Sequence, residues 1–385
     1  MSDARIKASI PTILSAQEKG AKVILLSHLG RPDPENIDNR FSLQPVAKRL
    51  SELVYQDIDF ISDWTDAIKN SNNIILCENT RYHNGEKTND EEFSRQIASL
   101  CDVYVMDAFG ASHRKHASTY GAIQFANKAC AGPLLAGEID SLKKAMEAPE
   151  KPLIAIIGGA KVSSKLGVIE SLANICDTII VGGGIANTFL LSNGDPVGNS
   201  LVETDMVEAA DRILKIDQVN VPIPSDVVVA KEFSNEAVAL EKSIDQVEED
   251  DLILDIGAKT IKAYKEIIKT AGTIIWNGPV GVFEIEQFRE GTQEIAKAIR
   301  DNQGYKIVGG GDTVAVIEKY GITDSISYIS TGGGAFLEFV KNGTLDALDV
   351  LAQHLSLIHI SEPTRPERIW YGLMLVKKKK GGGGG

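Results

Sequence analysis

The sequence predicts an α/β architecture in two parts, each a parallel sheet flanked by helices. Three observations carry this. Short apolar runs of strand length alternate with longer runs of helical period, the order that produces parallel sheets. Those apolar runs end in loops rich in glycine or in arginine and histidine, not in hairpin turns. Finally, Ala148-Pro149-Glu150-Lys151-Pro152 punctuates the chain with two prolines, as a hinge region between two sheets would. In open sheets of this kind ligands bind outside the carboxyl ends of the strands. The loops at those ends are therefore where function is expected.

In the first part, residues 3–19 read as a helix with Ile6, Ile10, Ile13 and Leu14 on one face and Gly20 as its stop. Residues 22–26 form a strand ending in Ser27-His28-Leu29-Gly30-Arg31-Pro32, and a helix follows at about 43–53. The strand 74–77 ends in Glu78-Asn79-Thr80-Arg81-Tyr82-His83, followed by a helix over 91–100. The strand 103–106 ends in Asp107-Ala108-Phe109-Gly110, with Ser112-His113-Arg114-Lys115-His116 just beyond. A helix over 138–147 leaves this sheet. The second sheet starts at residue 153, with strands expected at 153–157, 178–181, 219–223 or 227–230, 252–255, 273–276, 306–308 and 327–329.

Four strands of the second part run into glycine. These loops are Gly158-Gly159-Ala160-Lys161, Gly182-Gly183-Gly184, Gly309-Gly310-Gly311-Asp312-Thr313 and Gly332-Gly333-Gly334. Glycine lets backbone bend or approach a ligand closely, and the helix start behind it offers unpaired N–H groups to phosphate. One such loop is an ordinary turn. Four in one half of a chain point to a phosphorylated ligand. Neither a Walker loop nor Gly-x-Gly-x-x-Gly is present, so a P-loop or dinucleotide site has no support.

Lys161 and Lys165 are four residues apart, which on a helix start would set two ammonium groups on one face, an arrangement that an anion relieves. Solvated surface lysines are the plain alternative. Asn277 and Glu284, in Trp276-Asn277-Gly278-Pro279-Val280-Gly281-Val282-Phe283-Glu284, can hydrogen-bond sugar hydroxyls or simply form and cap the turn. Asp312 can cap its helix or hold Mg²⁺, which is commonly bound through one or two carboxylates plus substrate phosphates. Thr313 beside it can donate to phosphate.

The totals narrow the classes of function. A chain of 385 residues with 43% hydrophobic and 24% charged residues is ordinary for a globular protein of two or three domains. A net charge of −13 argues against a general nucleic-acid binder, which needs a basic face. Against that acidic background His28, His83, His113 and His116 each lie within three residues of Arg31, Arg81 or Arg114. Arg5 joins them at the chain's start. A local cationic cluster in an acidic chain points to a small anionic ligand, and arginine forks suit carboxylate and phosphate. For any one of them alone a surface ion pair is the commoner fate.

Cys77, Cys101, Cys130 and Cys176 form no Cys-x-x-Cys pair and complete no zinc site. No signal peptide or apolar run of membrane-spanning length is seen, so a cytoplasmic protein with no membrane partner is expected.

Taken in order, the segments from His28 to Pro32, Glu78 to His83, Asp107 to Gly110 with His113 and Arg114, Gly158 to Val162, Gly182 to Phe189, Trp276 to Glu284, Gly309 to Thr313 and Thr331 to Ala335 resemble the phosphoglycerate kinase family, over about residues 3 to 351. The resemblance implies two Rossmann-like domains joined by a hinge helix. A first domain over 1–150 would bind 3-phosphoglycerate or 1,3-bisphosphoglycerate through Arg5, His28, Leu29, Gly30, Arg31, Arg81, His113 and Arg114. A second, over 151–335, would bind Mg²⁺ with ADP or ATP. Residues 336–352 would return to the first.

Within the second domain the resemblance gives Lys161 the transferring phosphoryl group and Lys165 the nucleotide phosphates. Gly159, Ala160, Gly182 and Gly183 would border the nucleotide, Asn277 and Glu284 the nucleoside side. Gly309, Gly310, Gly311, Asp312 and Thr313 would take phosphates and metal. Arg5, Lys161, Gly333 and Gly334 would carry catalysis, by in-line positioning and charge cancellation on the equatorial oxygens. Domain closure would exclude water. A monomer is expected by the same resemblance.

The chain departs from the family in places. The strand and Asp-Phe-Asn loop that precede the first helix in the family are absent, which predicts a sheet with open edges, weaker phosphoglycerate binding and a less stable first domain. Ala258 stands where the family often has proline, and Ser225 precedes Asp226. Residues 357–366 resemble a translated sequencing adapter, so 353–385 is expected to be a non-native tail outside the fold. Two functions follow: a working kinase of this type, or a nucleotide-binding fragment without turnover.

Overall fold

The computed structural model describes residues 3–361 and 375–378. The chain divides into two compact units, Met1–Ile139 with Thr344–Gly385, and Asp140–Gly343.

In the first unit the strands are β1 (Ala21–Leu25), β2 (Asp59–Ile61), β3 (Ile74–Cys77), β4 (Tyr104–Met106) and β5 (Ala129–Ala131). β1 and β2 both lie parallel to β3, and β4 pairs in parallel with β5. β3 is buried along its whole length, Ile74-Ile75-Leu76-Cys77, which is what a strand covered on both faces needs. The helix Ala4–Glu18 precedes β1, with Thr12 and Ile13 buried and Gly20, at φ +80°, making the turn into the strand. The helix Gln44–Val54 buries Ala47, Leu50 and Val54, one stripe at helical spacing. The helix Glu91–Ser99 is N-capped by Asp90, whose carboxylate accepts from Phe93 N at 2.8 Å, with Glu91 and Glu92 in its first turn. The short strands β2 and β5 were not foreseen.

The helix Pro133–Met146 carries the chain into the second unit. There the strands are β6 (Leu153–Gly158), β7 (Thr178–Gly182), β8 (Asp226–Ala230), β9 (Leu240–Ser243), β10 (Leu252–Ile256), β11 (Thr273–Asn277), β12 (Tyr305–Val308) and β13 (Tyr328–Ile329). Five form a parallel sheet in the order β13-β12-β11-β6-β7. The other three form an antiparallel sheet, β10-β8-β9. This corrects the expectation of one sheet. Of the two places proposed for a strand near residue 225, the one at 226–230 is occupied. Around 219–223 only Asn220 makes a bridge, to Thr178. β9 was missed because none of its residues is buried and they carry no apolar alternation.

The parallel sheet is packed on its helices through Ile154, Ile156, Ile180, Ile274, Trp276, Val308, Ile295, Val316 and Ile317, all nearly or wholly buried. At about 25 cal/mol per Å² of apolar surface, burial of such branched side chains supplies most of what holds the sheet to its helices.

The return to the first unit falls at Gly343, which ends the helix Gly333–Asn342 at φ +72°. The helix Asp346–Ser361 then runs into the stretch expected to lie outside the fold. Residues 346–361 contain neither glycine nor proline, so nothing stops a helix there. Past it, β14 (Leu375–Lys378) pairs antiparallel with β1, giving the sheet order β14-β1-β3-β2. The edge of β1 that was expected to be open is thus paired. The remainder of the tail, 362–374 and 379–385, lies outside the described residues.

Candidate phosphoryl-ligand sites in the two units

The register of the second unit's sheet decides where its glycine loops go. Gly158 pairs with Gly182, Asn277 with Ile157, Trp276 with Val308, and Val308 with Ile329. The carboxyl ends of all five strands therefore stop at one level, and the four glycine loops emerge at one rim. Three of them open directly into helices, at Gly184, Gly311 and Gly333. The fourth does not. Residues 159–165 form a turn, and the helix begins at Leu166.

That turn overturns the placing of Lys161 and Lys165 on one helix face. Val162 is fully buried, and Lys165 N bonds to Val162 O at 2.8 Å, so the two lysines diverge. Lys161 is exposed. Lys165 turns inward and donates to Gly158 O at 2.5 Å, Asn277 Oδ1 at 2.5 Å and Asn277 O at 3.2 Å. Burial pushes its pKa down to about 8, while the Asp312 carboxylate pulls it up. With three acceptors for its three N–H groups it stays charged at neutral pH.

Several glycines are explained by the chain itself. A Cβ on Gly158 would lie 1.8 Å from Pro279 O, and one on Gly182 would lie 2.5 Å from Val280 Cα. Gly183, at φ +64°, donates its N–H to Val280 O at 2.9 Å. The loop 278–280 is thus laid backbone-on-backbone across the ends of β6 and β7. Gly311 is different. It has a helical backbone, and none of the described residues lies within 4 Å of where its Cβ would be. Space, not packing, is what glycine leaves there. Gly309 meets the Phe336 ring, Gly310 (φ +96°) faces Asn277, and Gly333 lies against Gly310. Gly159, at φ +143°, has the Lys165 ammonium beside it, Ala160 and Gly334 are exposed, and Gly334 sits in the first turn of its helix.

Polar side chains at this rim divide into committed and open ones. Asn277 donates to Gly309 O at 2.8 Å and accepts from Lys165, so both ends of its amide are engaged. Thr313 is fully buried; its hydroxyl accepts from Gly278 N at 2.7 Å and donates to Gly309 O at 2.9 Å. Its side chain ties two loops together. Asp312 is exposed in the first helical turn and makes no cap hydrogen bond, so it does not play the capping role considered for it. Glu284 is exposed at the end of its turn.

In the first unit the arginine and histidine loops follow β1, β3 and β4. Asn79, fully buried, donates to Leu29 O and Phe41 O, both at 2.8 Å, and accepts from Arg81 N at 3.1 Å. It locks the β1 loop to the β3 loop. Arg81 is itself 5% exposed; its Nη1 donates to Gly30 O at 2.5 Å, and its Nε is buried with no hydrogen-bond partner among the described residues. An unsatisfied guanidinium N–H costs stability in a resting protein, and an anion would relieve it.

Arg114 Nε donates to His113 Nε2 at 3.3 Å. His28 is pushed down to about 4, by burial first and then by Arg81, Arg114, His116 and Arg5. His116 falls to about 4 for the same kind of reason, with burial first and then Arg81, Arg114, Lys87 and His113 acting on it. These mutual repulsions show Arg5, Arg81, Arg114, His28, His113 and His116 sharing one neighbourhood. Arg31, exposed, acts on Arg81. The Leu29 side chain packs instead against Leu43, Ala47 and Leu76.

Sequence reasoning left His116 out of the site and missed Glu86. The Glu86 carboxylate is 1% exposed and accepts from Ser118 N (3.0 Å), Ser118 Oγ (2.6 Å) and Thr80 Oγ1 (3.3 Å), with His116 Nδ1 3.7 Å away. Its place five residues after Arg81 was the only signal available. His83 does not join the cluster. It stacks with Phe93 and meets the edge of Trp64, with ring centroids 4.7 Å away in both cases.

Glycine-rich helix starts with a half-buried lysine in one unit, and an arginine–histidine cluster in the other, make an α/β protein equipped for phosphorylated ligands. The comparisons with known proteins are specific. The family model "Phosphoglycerate kinase" matches residues 1–343. The chain is 45% identical to the phosphoglycerate kinase of Coxiella burnetii, with a TM-score of 0.85 over 93% of this chain and 92% of that one. It is 32% identical to the phosphoglycerate kinase of Pyrococcus horikoshii OT3, with a TM-score of 0.79 over 92% of each. The chain belongs to the phosphoglycerate kinase family. Its reaction is reversible phosphoryl transfer from 1,3-bisphosphoglycerate to ADP, giving 3-phosphoglycerate and ATP.

Proposed function

We propose that the second unit holds Mg-ADP or Mg-ATP at its glycine rim and that the first unit holds the phosphoglycerate. The observation that carries this is the common level at which β6, β7, β11, β12 and β13 end, which gathers four glycine loops, Lys165 and Asp312 together. Gly309, Gly310 and Gly311, with the amide of Thr313, take the nucleotide phosphates. Gly182, Gly183, Asn277 and Glu284 shape the nucleoside side, and Gly159 and Ala160 border it. Asp312 is the metal ligand. It is an exposed hard oxygen donor that caps nothing, which suits a cation bound through one carboxylate and substrate phosphates. Bound Mg²⁺ supplies charge neutralisation at the phosphate oxygens.

Lys165 starts on Asn277 and Gly158, and phosphate would draw its ammonium outward. The exposed Lys161 is free to reach the transferring group. Arg5, His28, Arg31, Arg81, His113 and Arg114, with backbone from Leu29 and Gly30, hold the phosphate and carboxylate of the phosphoglycerate. The acceptor is already a carboxylate, so no strong general base is needed. The chemistry asks for in-line approach and cancellation of charge on the equatorial oxygens. In the second unit Lys161 and the amides of Gly333 and Gly334 supply such cancellation, and in the first unit Arg5 does.

Calorimetric titration of the full chain with Mg-ADP, and separately with 3-phosphoglycerate, tests this. Substitution Gly311→Ala should weaken only the nucleotide, and Arg81→Ala only the phosphoglycerate. Equal loss of both ligands from either variant would contradict the assignment. We also propose a cytoplasmic monomer. No helix among the described residues is long and apolar enough to cross a membrane, and light scattering in solution would reveal any oligomer.

A further inference from the structure

The turn 276–284 is braced from behind. Val280 N and Gly281 N both donate to Thr292 Oγ1, each at 3.2 Å. Thr292 is fully buried in the first turn of the helix Glu290–Asp301. The preceding residue, Gly291, donates its N–H to Asp255 Oδ2 at 2.7 Å, and Asp255 Oδ1 accepts from Ile256 N at 2.9 Å. A Cβ on Gly281 would lie 2.0 Å from Asp255 Oδ1, so the turn rests directly on this support. On its other side the same turn lies across Gly158 and Gly182, both too close for a side chain. The Thr292 hydroxyl is therefore the shared acceptor for both turn amides, and it acts beside the Gly183 N–H on Val280 O and the close packing on Gly158 and Gly182 in setting where residues 280–281 sit.

We infer that Thr292 is a positioning residue for the nucleotide. It touches no ligand; it fixes the backbone from which Glu284 and the 278–280 edge of the nucleoside site project. This rests on the reading of the second unit as the nucleotide site. Valine keeps the shape of threonine and removes the acceptor, leaving the buried Val280 N–H and the half-buried Gly281 N–H without it, so the turn shifts to find partners. Serine keeps the hydroxyl.

The test uses the full chain with Thr292→Val and Thr292→Ser. The valine variant should raise the ADP Kd and KM about five- to twentyfold, with kcat within about twofold and the 3-phosphoglycerate KM unchanged, the pattern of a lost binding contribution. The serine variant should restore nucleotide affinity to within about threefold of the unmodified chain. Hydrogen exchange gives a reading that does not depend on the variant folding: in the unmodified chain without nucleotide, the amides of Val280 and Gly281 should already be protected.

Three results would overturn the inference. One is a valine variant that melts earlier yet binds ADP as before. Another is equal change in both substrates' KM. The last is rapid exchange at Val280 and Gly281. If the unmodified chain binds no ADP at millimolar concentration, the nucleotide site itself is wrong and the inference falls with it.

Discussion

Replacing Gly158 with alanine is a severe test of how this chain is built. The added methyl would meet three backbone atoms: Pro279 O at 1.8 Å, Pro279 C at 2.6 Å and Gly278 C at 2.8 Å. None can rotate away. Ordinary contact begins at 3.4 Å, so β6 and the 278–280 turn would have to part by about 1.6 Å, the difference between 3.4 and 1.8 Å. The same shift would pull Gly158 O and the Asn277 oxygens apart, and with them the seat of Lys165. Overpacking of a tight interior costs about 1–3 kcal/mol, and clashes with backbone belong at the upper end. For a unit of about 200 residues, about 3 kcal/mol lowers the unfolding midpoint by roughly 6–12 °C.

Thermal unfolding followed by circular dichroism measures this directly, and Gly311→Ala is the control. That methyl meets nothing within 4 Å on a helical backbone, so the midpoint should not fall. A Gly158→Ala protein melting within about 2 °C of the unmodified chain would refute the packing described for the 278–280 turn.

Other outcomes follow from the same structure. Gly311→Ala, though stable, should bind Mg-ADP at least about tenfold more weakly, because its methyl occupies the phosphates' space; calorimetry checks it. Lys165→Met removes a half-buried charge and frees Asn277 Oδ1 and Gly158 O, so ADP affinity should drop about tenfold or more while 3-phosphoglycerate binding stays unchanged in the same titration. His28 and His116 have folded pKa values near 4, below the unfolded value of 6.5. The unfolded chain then binds more protons between those values, so their contribution is fully present above pH 6.5 and is lost progressively as pH falls toward 4. An anion among them raises both values, so 3-phosphoglycerate binding near pH 5.5 should take up protons. Calorimetry in buffers of different ionisation enthalpy would show it, and proton release would contradict it.

Much of this was legible before any coordinates. The glycine loops after β6, β7, β12 and β13 stand in the sequence as strand-then-glycine. Their convergence follows from parallel topology, which the alternation of runs already implied. The Arg–His loops after β1, β3 and β4 were visible for the same reason. What could not be read was which polar group serves the chain and which is left for a ligand. Asn277 and Thr313 look like ligand contacts in a one-dimensional pattern, yet their side chains are spent on Lys165, Gly278 and Gly309. Thr292 and Glu86 look like surface residues, yet both are buried anchors. Hydrogen-bond commitment depends on residues up to 112 positions away, and no local period reports it. The antiparallel sheet β10-β8-β9 stayed hidden because β9 buries no residue and has no apolar signature. Helix and strand past residue 355 were hidden because unusual composition suggested no structure there.

The most direct experiment is the initial rate of ADP formation by the full chain with Mg-ATP, with and without 3-phosphoglycerate. A rate that saturates in both substrates and vanishes when either is omitted is the predicted result. Binding of Mg-ADP with no phosphoglycerate-dependent turnover at millimolar concentrations would mean that the nucleotide rim survives in a chain that does not act as a kinase.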